Sequence, residues 1–439
     1  MKIVFLAREA ARAGLAGGIA TYTWMMARAL ADQGHLITIV AEQPPEPLPI
    51  PDHPRVTVRW IPPLPLCRTV PRNGLQIIYR NTVYSLAVAR VLRAIAARGE
   101  IDIIESPEWR SEGLAYSYWQ ATAPIVMRLH TPRFVERTMN GRRWSVGDAA
   151  VEWAEALLAH RVARITAPSA SLAALAASTW QLPLADIAVI PNPIDTDFFR
   201  PACDCPDAPA CRADQQRVGG MQAARRASAA QDGSGQVILY VGRLEQRKGV
   251  DLLVEALPAV VAAYPQVRLE FVGADTPVSG NAYGPYATMS AALAARAATL
   301  GVADQVIFHG KLEPAAVRDH YWRATVCVIP SRYEGFGYTC LEAMACGRPV
   351  VAANTGGLAE LLAPGDCGLL VPPDDPVALA DALIHVLRRP DEAMRWGQNA
   401  RRHVERVYAA AAVATRMSQF YEEVITRKQR WLPQTDATL

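Results

Sequence analysis

The feature that most constrains this 439-residue chain is a pattern that occurs twice. Short, continuously apolar runs are each followed by a polar or glycine-bearing turn and then by an amphipathic or Ala-rich stretch. The first series comprises "KIVFLA", "HLITIVA", "IDIIES", "PIVMRLH" and "RITAPS". After the first run, a helix over 19–34 places Ile19, Tyr22, Met26 and Leu30 on one face and stops at Gly34. The second series comprises "VILYVG", a helix over 250–263, "RLEFVG", a helix over 288–300, "VIFHG", "TVCVIP", a helix over 338–346, "PVVAA", "GLLV" and a helix over 376–389. Strands with no polar alternation are buried on both faces. Interleaved with helices, they belong in parallel sheets. The sequence therefore predicts an α/β protein with two Rossmann-like, doubly wound domains, although no residue-level repeat relates the two. The expected boundaries are 1–195 for the first domain, 196–236 for a linker with a cysteine-containing insertion, and 237–407 for the second domain. A last apolar helix over 408–426 has no strand partner of its own.

Bulk properties exclude several classes. A chain of this length is too long for one ordinary core. With 51% hydrophobic and 20% charged residues it reads as globular. A formal net charge of +3 gives no reason to expect nucleic acid as a partner. No apolar run approaches the ~20 residues that span a bilayer. "MKIVFLAREAAR" meets Arg8 and Glu9 too early for a secretory signal and reads as the first core strand, so a cytoplasmic location is expected. Contact with the inner face of a membrane stays open, with no clear amphipathic signature to support it. Of the eight cysteines, Cys67, Cys327, Cys340, Cys346 and Cys367 are scattered and expected to be reduced and structural.

In open parallel sheets, ligands bind beyond the carboxyl ends of the strands. Gly17 and Gly18 come after the first strand, His130 ends "VMRLH", Arg243 follows "LYVG" and Glu334 follows "VCVIP", so all fall on ligand-facing edges. Two sheets presenting those edges to each other would line a cleft. The richest segment is "EGFGYTCLE". Its glycines allow close backbone approach, and a helix starting at Gly337 or Tyr338 offers free N–H groups to a diphosphate. Glu334 and Glu342 would repel phosphate, but carboxylates accept hydrogen bonds from sugar hydroxyls. They would bracket the phosphates of a nucleotide sugar, one at the ribose and one at the transferred sugar. Read blandly, they are a cap and a solvated helix residue. "GRLEQRKG" supplies Arg243 and Lys248, a guanidinium fork and a point charge suited to a diphosphate. The plain alternative is a surface charge cluster that also holds Glu245, Gln246 and Arg247. "GLAGGIATYTW" lacks the G-x-G-x-x-G spacing of a nicotinamide site, and a lone His130 is more often structural than catalytic.

"DTD" at Asp195–Asp197 imitates a metal motif but lies in the expected connection and reads as turn chemistry. "PDDP" reads as a turn and N-cap for the helix from Pro376. Cys203, Cys205 and Cys211 match none of the common zinc spacings. No metal and no cofactor is expected.

These residues resemble the retaining nucleotide-sugar glycosyltransferases of the GT-B type, in family 4, the bacterial mannosyl- and glucosyltransferase-like group. The resemblance runs through "GGIATYTWMMARALADQGHLITIV", "VIPNPIDTDFFRP", "ILYVGRLEQRKGVDLLVEAL", "PSRYEGFGYTCLEAMACGRPVVAANTGGLAEL" and "GLLVPPDD". It is most specific in the second half. It implies that Arg243 and Lys248 bind the donor diphosphate. Glu334 would meet the transferred sugar, with the Phe336–Gly337 backbone beside it, and Glu342 would bind the ribose. Gly18, with Gly17, would approach the phosphate from the first domain, and His130 would lie by the donor sugar. It implies that the helix over 408–426 returns to the first, acceptor-side domain, and that the enzyme needs no metal. Two segments exceed the family pattern: the connection over 202–236 and the stretch over 278–290.

The expected reaction moves a hexosyl group from a UDP-, GDP- or other nucleoside-diphosphate sugar to the hydroxyl of a glycan, lipid-linked glycan or small molecule, as in polysaccharide or glycolipid synthesis. Arg243, Lys248 and the helix N-terminus would stabilise charge on the departing diphosphate. With retained stereochemistry, a phosphate oxygen could take the acceptor's proton, so no glycosidase-like carboxylate pair is required. The competing readings are a nucleotide-sugar epimerase on the same fold and a non-catalytic sugar-nucleotide-binding subunit. An NAD(P) dehydrogenase is more distant.

Overall fold

The structure, a computed structural model, describes residues 1–9, 17–44, 53–63, 74–119, 122–139, 145–202, 235–277, 286–363 and 366–431. Cys67, Cys203, Cys205, Cys211 and most of 202–236 and 278–290 lie outside the described residues. The chain divides into two compact units. Unit 1 is Met1–Pro193 with Ala410–Leu439, and unit 2 is Ile194–Ala409.

Unit 1 is built on strands β1 (Lys2–Leu6), β2 (Leu36–Glu42), β3 (Val56–Ile61), β4 (Ile103–Pro107), β5 (Ile125–Arg128), β6 (Arg164–Ala167) and β7 (Ile187–Val189). They form one parallel sheet in the order β3-β2-β1-β4-β5-β6-β7. Its helices are α1 (Gly17–Asp32), α2 (Gly74–Ala96), α3 (Leu114–Tyr118), α4 (Arg133–Met139), α5 (Val146–Ala159) and α6 (Ala170–Trp180). Alternation along β1 shows why the run is wholly apolar. Ile3 and Phe5 face Tyr22, Met26 and Leu30 of α1, while Val4 and Leu6 face Tyr84, Val88 and Leu92 of α2. The chain's last helix, Ala410–Trp431, joins the first of these cores through Val413, Met417, Phe420 and Tyr421. The spacing of these four residues keeps them on one face.

Beneath that contact Glu105 is buried and accepts hydrogen bonds from Tyr22 (3.1 Å) and Tyr421. Burial pushes its carboxyl up, while Arg128 and the two phenols act against it. Tyr421→Phe removes one donor from a buried acceptor, so we expect a loss of about 1–3 kcal/mol in stability, measured by urea unfolding.

Unit 2 holds β8 (Val237–Val241), β9 (Arg268–Val272), β10 (Val306–Gly310), β11 (Val326–Ile329), β12 (Val350–Ala353) and β13 (Leu369–Val371). These strands are also all parallel, in the order β10-β9-β8-β11-β12-β13. Its helices are α7 (Val250–Ala263), α8 (Met289–Thr299), α9 (Pro314–Arg323), α10 (Tyr338–Ala345), α11 (Gly356–Leu362), α12 (Pro376–Arg388) and α13 (Pro390–Val407), which makes the terminal helix α14. Counted from its own first strand, each sheet runs 3-2-1-4-5-6, and unit 1 adds a seventh strand at the end of that order. The direction of winding reverses between β1 and β4 in unit 1 and between β8 and β11 in unit 2. Such switch points leave a crevice at the strands' carboxyl ends. Asp375 caps α12 by accepting from Val377 and Ala378 N–H. Asp195 Oδ1 accepts from the N–H groups of Asp197 and Phe198, so "DTD" is a hydrogen-bonded turn. Cys327, Cys340, Cys346 and Cys367 are free thiols in the interior.

Candidate functional site

The densest polar constellation of unit 2 lies at its switch point, in the loops after β8 and β11. Lys248 ends a one-turn 3₁₀ helix, Gln246–Lys248, and Gly249 follows with φ +65°. A Cβ at Gly249 would lie 2.1 Å from the Pro330 carbonyl oxygen, so only glycine lets these two loops meet. Lys248 Nζ there forms an ion pair with Glu334 Oε2. Arg247 is also buried. It donates to the Tyr333 carbonyl (3.0 Å), pairs with Glu245 at 2.7 Å and comes within 3.9 Å of Glu334. Burial alone would raise the Glu334 carboxyl, but the Lys248 and Arg247 charges outweigh it and hold it below its ordinary value. Lys248 is lowered mainly by the same burial, with Glu334 opposing. Glu334 is thus an ionised acceptor in a water-poor corner, with two cations near its Oε2.

Arg243 behaves differently. It is 60% exposed and reaches Glu245 only at 3.4 Å. Glu245 therefore links the exposed Arg243 to the buried Arg247, and the chain of charges continues through Glu334 to Lys248. From a third loop, after β12, Gly357 N–H donates to the Glu334 carbonyl (2.8 Å) and Gly356 packs against the same carbonyl. Gly337, at φ +104°, caps α10, and a Cβ there would meet Leu358 at 2.7 Å. Phe336 is buried, edge-on to Tyr338 at 5.5 Å, so only its backbone is offered outward. Glu342, on the second turn of α10, accepts from Tyr321 Oη at 2.8 Å. Burial raises its carboxyl to about 7, with the Tyr321 hydrogen bond opposing. The structure therefore brings Arg243, Lys248 and Glu334 into one network and places Glu342 on a separate phenol.

In unit 1, Gly17 and Gly18 open α1, and Gly18 is exposed. His130 follows β5. Its N–H and that of Thr131 both donate to Glu108 Oε1, at 2.9 and 2.7 Å, and its ring lies edge-on to Tyr22 at 5.1 Å. Burial, with the Arg128 charge, pushes His130 well below its ordinary value, so the imidazole is neutral at pH 7.

Comparison with known proteins fits this arrangement. Residues 16–198 match the family model described as Glycosyltransferase Family 4, and 221–403 match Glycosyl transferases group 1. The chain is 30% identical to the D-inositol 3-phosphate glycosyltransferase of Thermobispora bispora, across 96% of this chain and 93% of the relative. The chain belongs to glycosyltransferase family 4. The enzyme of the same name from Acidothermus cellulolyticus is 32% identical to this glycosyltransferase, across 85% and 79% of the two chains. Among solved structures, sucrose-phosphate synthase from Thermosynechococcus elongatus superposes with a TM-score of 0.73 at 24% identity, covering 97% of this chain and 99% of the other. HepE of Anabaena, in complex with UDP-glucose, gives 0.65 at 20%, covering 96% and 100%. The fold is GT-B, and the protein is a glycosyltransferase rather than an epimerase or a silent binding subunit.

Sequence reasoning missed two kinds of residue in this transferase. Arg247 sits in a run that reads as surface charge, and only the carboxylates of Glu245 and Glu334 explain its burial. Glu108, Glu112 and Glu155 are buried carboxyls of unit 1 that no motif marks. One cluster among the described residues has metal-like chemistry: Glu270 Oε2 meets His309 Nε2 at 3.1 Å and His320 Nδ1 at 2.8 Å. Imidazole–carboxylate hydrogen bonds account for that geometry without an ion. No described helix is long and apolar enough to cross a membrane.

The buried carboxyls imply a pH dependence. Burial pushes Glu108 and Glu342 up to about 7 and Glu112 to about 8, from 4.5. Their contribution to stability is complete below the unfolded value of 4.5 and is lost as pH rises through 7 and 8. The lowered histidines His35, His130 and His403 act oppositely, but mainly below 6.5. Between pH 6.5 and 8.5 the melting temperature should therefore fall, by about 5 °C, in a calorimetric pH series.

Proposed function

We propose that this glycosyltransferase transfers a hexosyl group from a nucleoside-diphosphate sugar to an acceptor hydroxyl with retention of configuration and without a metal ion. The Lys248–Glu334 pair at the switch point, with Arg243 projecting beside it, carries this reading. A departing diphosphate develops negative charge, and preorganised cations stabilise it where it forms. Arg243 is exposed and open to bidentate phosphate contact, and Lys248 is a fixed point charge behind it. Arg247 adds a third cation, which holds Glu334 ionised so that it can accept from hydroxyls of the transferred sugar. Glu342 is assigned to the ribose hydroxyls, and Gly337 and Tyr338, at the start of α10, to the phosphates. Gly17, Gly18 and the neutral His130 are assigned to the donor from unit 1. UDP-glucose bound to HepE supports a nucleotide-sugar donor. A phosphate oxygen of the leaving group takes the acceptor's proton on the same face of the sugar, so no glycosidase-like carboxylate pair is required.

A thermal-shift screen against UDP-, GDP- and ADP-sugars tests the donor. One class should raise the melting temperature in proportion to its affinity. Free nucleoside diphosphate should then appear with acceptor present, in the presence of EDTA, and the product should keep the donor's anomeric configuration. An inverted product, or complete loss of turnover in EDTA, contradicts the respective part of the reading.

A further inference from the structure

The second polar constellation lies at the switch point of unit 1. Arg8 follows β1, Trp109 and Arg110 follow β4, and Gln76, Arg80 and Tyr84 occupy one face of α2 at intervals of four residues. Arg8 is almost completely buried. Its guanidinium lies 4.4 Å above the Tyr84 ring and pairs with Glu42 at 2.7 Å. Arg110 lies 5.3 Å from the Trp109 ring and reaches Glu9 only at 4.0 Å.

Three observations single this corner out. First, Arg8 Nη1, Arg80 Nε, Tyr84 Oη and Trp109 Nε1 are buried donors with no partner among the described residues, beside Gln76 Oε1 and Ser111 Oγ, which are unpartnered too. Buried polar groups are normally satisfied, and a set in which donors outnumber acceptors calls for an oxygen-rich ligand. Second, the guanidiniums repel one another. Burial, then Arg8 and in smaller part Arg80, make Arg110 less willing to hold its proton. Nearby Glu112 gives little compensation, because burial lifts its carboxyl to about 8 and it is largely protonated at neutral pH. Three cations thus face the ionised Glu42 and the more distant Glu9, which leaves positive charge over. Third, Arg110 and Ser111 are consecutive non-glycine residues in the left-handed region, at φ +58° and +51°. Backbone strain of this kind persists where it holds a functional group in place.

We propose that Arg8, Arg80 and Arg110, with Tyr84 and Trp109, form an anion subsite that selects acceptors carrying a phosphate group. This rests on the reading that unit 1 takes the acceptor. Tetrahedral phosphate oxygens match the excess of donors, and an arginine fork engages two of them at once. The subsite makes no claim on the donor, whose diphosphate is assigned to Arg243 and Lys248 in unit 2.

Isothermal titration tests the proposal on the full chain in the presence of saturating nucleoside diphosphate. D-inositol 3-phosphate and glucose 6-phosphate would be compared with inositol and glucose, and vesicles containing phosphatidylinositol with vesicles of phosphatidylcholine alone. The phosphorylated partner of at least one pair should bind at least tenfold more tightly than its neutral counterpart. Arg80→Ala and Arg110→Ala should each remove that difference while leaving nucleoside-diphosphate affinity intact, which also reports that the variants are folded. The soluble and vesicle arms distinguish a small sugar phosphate from a lipid headgroup. Equal binding of phosphorylated and neutral ligands overturns the proposal, as does a phosphate preference unchanged in both variants. A matching loss of nucleoside-diphosphate affinity in Arg80→Ala or Arg110→Ala also overturns it, by assigning these arginines to the donor. Failure of every nucleotide sugar to bind the wild type would instead count against the donor reading.

Discussion

Lys248→Ala should reduce kcat/KM for glycosyl transfer by about a thousandfold or more, the scale expected when a preorganised charge is removed from a developing anion. The same change strips the principal counter-charge from Glu334, leaving Arg247 at 3.9 Å as its remaining cation. Breaking one side of a buried pair costs about 3–5 kcal/mol, so the variant should also melt at lower temperature. The two effects separate in the double variant Lys248→Ala/Glu334→Gln. Removing the orphaned charge should restore much of the stability and none of the activity. Full activity in Lys248→Ala, or recovery of activity with stability in the double variant, would show that the pair is only structural.

Gly356→Ala should have the next largest effect, through geometry rather than charge. Gly356 has φ +51°, and a Cβ built there lies 2.1 Å from the Glu334 carbonyl oxygen. That oxygen also accepts the Gly357 N–H, so the clash is backbone against backbone and no side chain can yield. The loop after β11 must shift, taking the Glu334 carboxylate away from Lys248. Misplacement on the ångström scale costs about a hundredfold in rate. Steady-state kinetics with the identified donor should show kcat falling by at least that factor. Wild-type kcat in Gly356→Ala would mean that the position of Glu334 is not critical.

The sequence made the sheets legible because buried parallel strands are apolar throughout, and "VILYVG" and "TVCVIP" show this directly. It also placed Arg243 and Glu334 at strand ends, since each follows such a run within a few residues. Which strand ends adjoin was not legible. The reversal between β8 and β11 joins segments more than eighty residues apart, and no local pattern records it. Arg247 was hidden for a related reason. A charge between Gln246 and Lys248 looks solvated until Glu245 and the distant Glu334 are seen to pair with it. The unit 1 cluster was more obscure still. In the sequence Arg8 is only a charge that cuts short an apolar run, and the stripe Gln76–Arg80–Tyr84 acquires meaning only when Tyr84 of α2 packs with Val4 and Leu6 of β1 and Ile104 of β4. Glu342 was legible as a helix residue, but its hydrogen bond from Tyr321 depends on α9 packing beside α10.

The central claim is that the loops after β8 and β11 grip the diphosphate of a nucleotide sugar. Arg243 tests it most directly, because an exposed side chain with one loose partner can be removed without disturbing the fold. Calorimetric titration of the nucleoside diphosphate into wild type and Arg243→Ala should show affinity weakened at least tenfold in a variant whose melting temperature is unchanged. Equal affinity in the two proteins would contradict the claim.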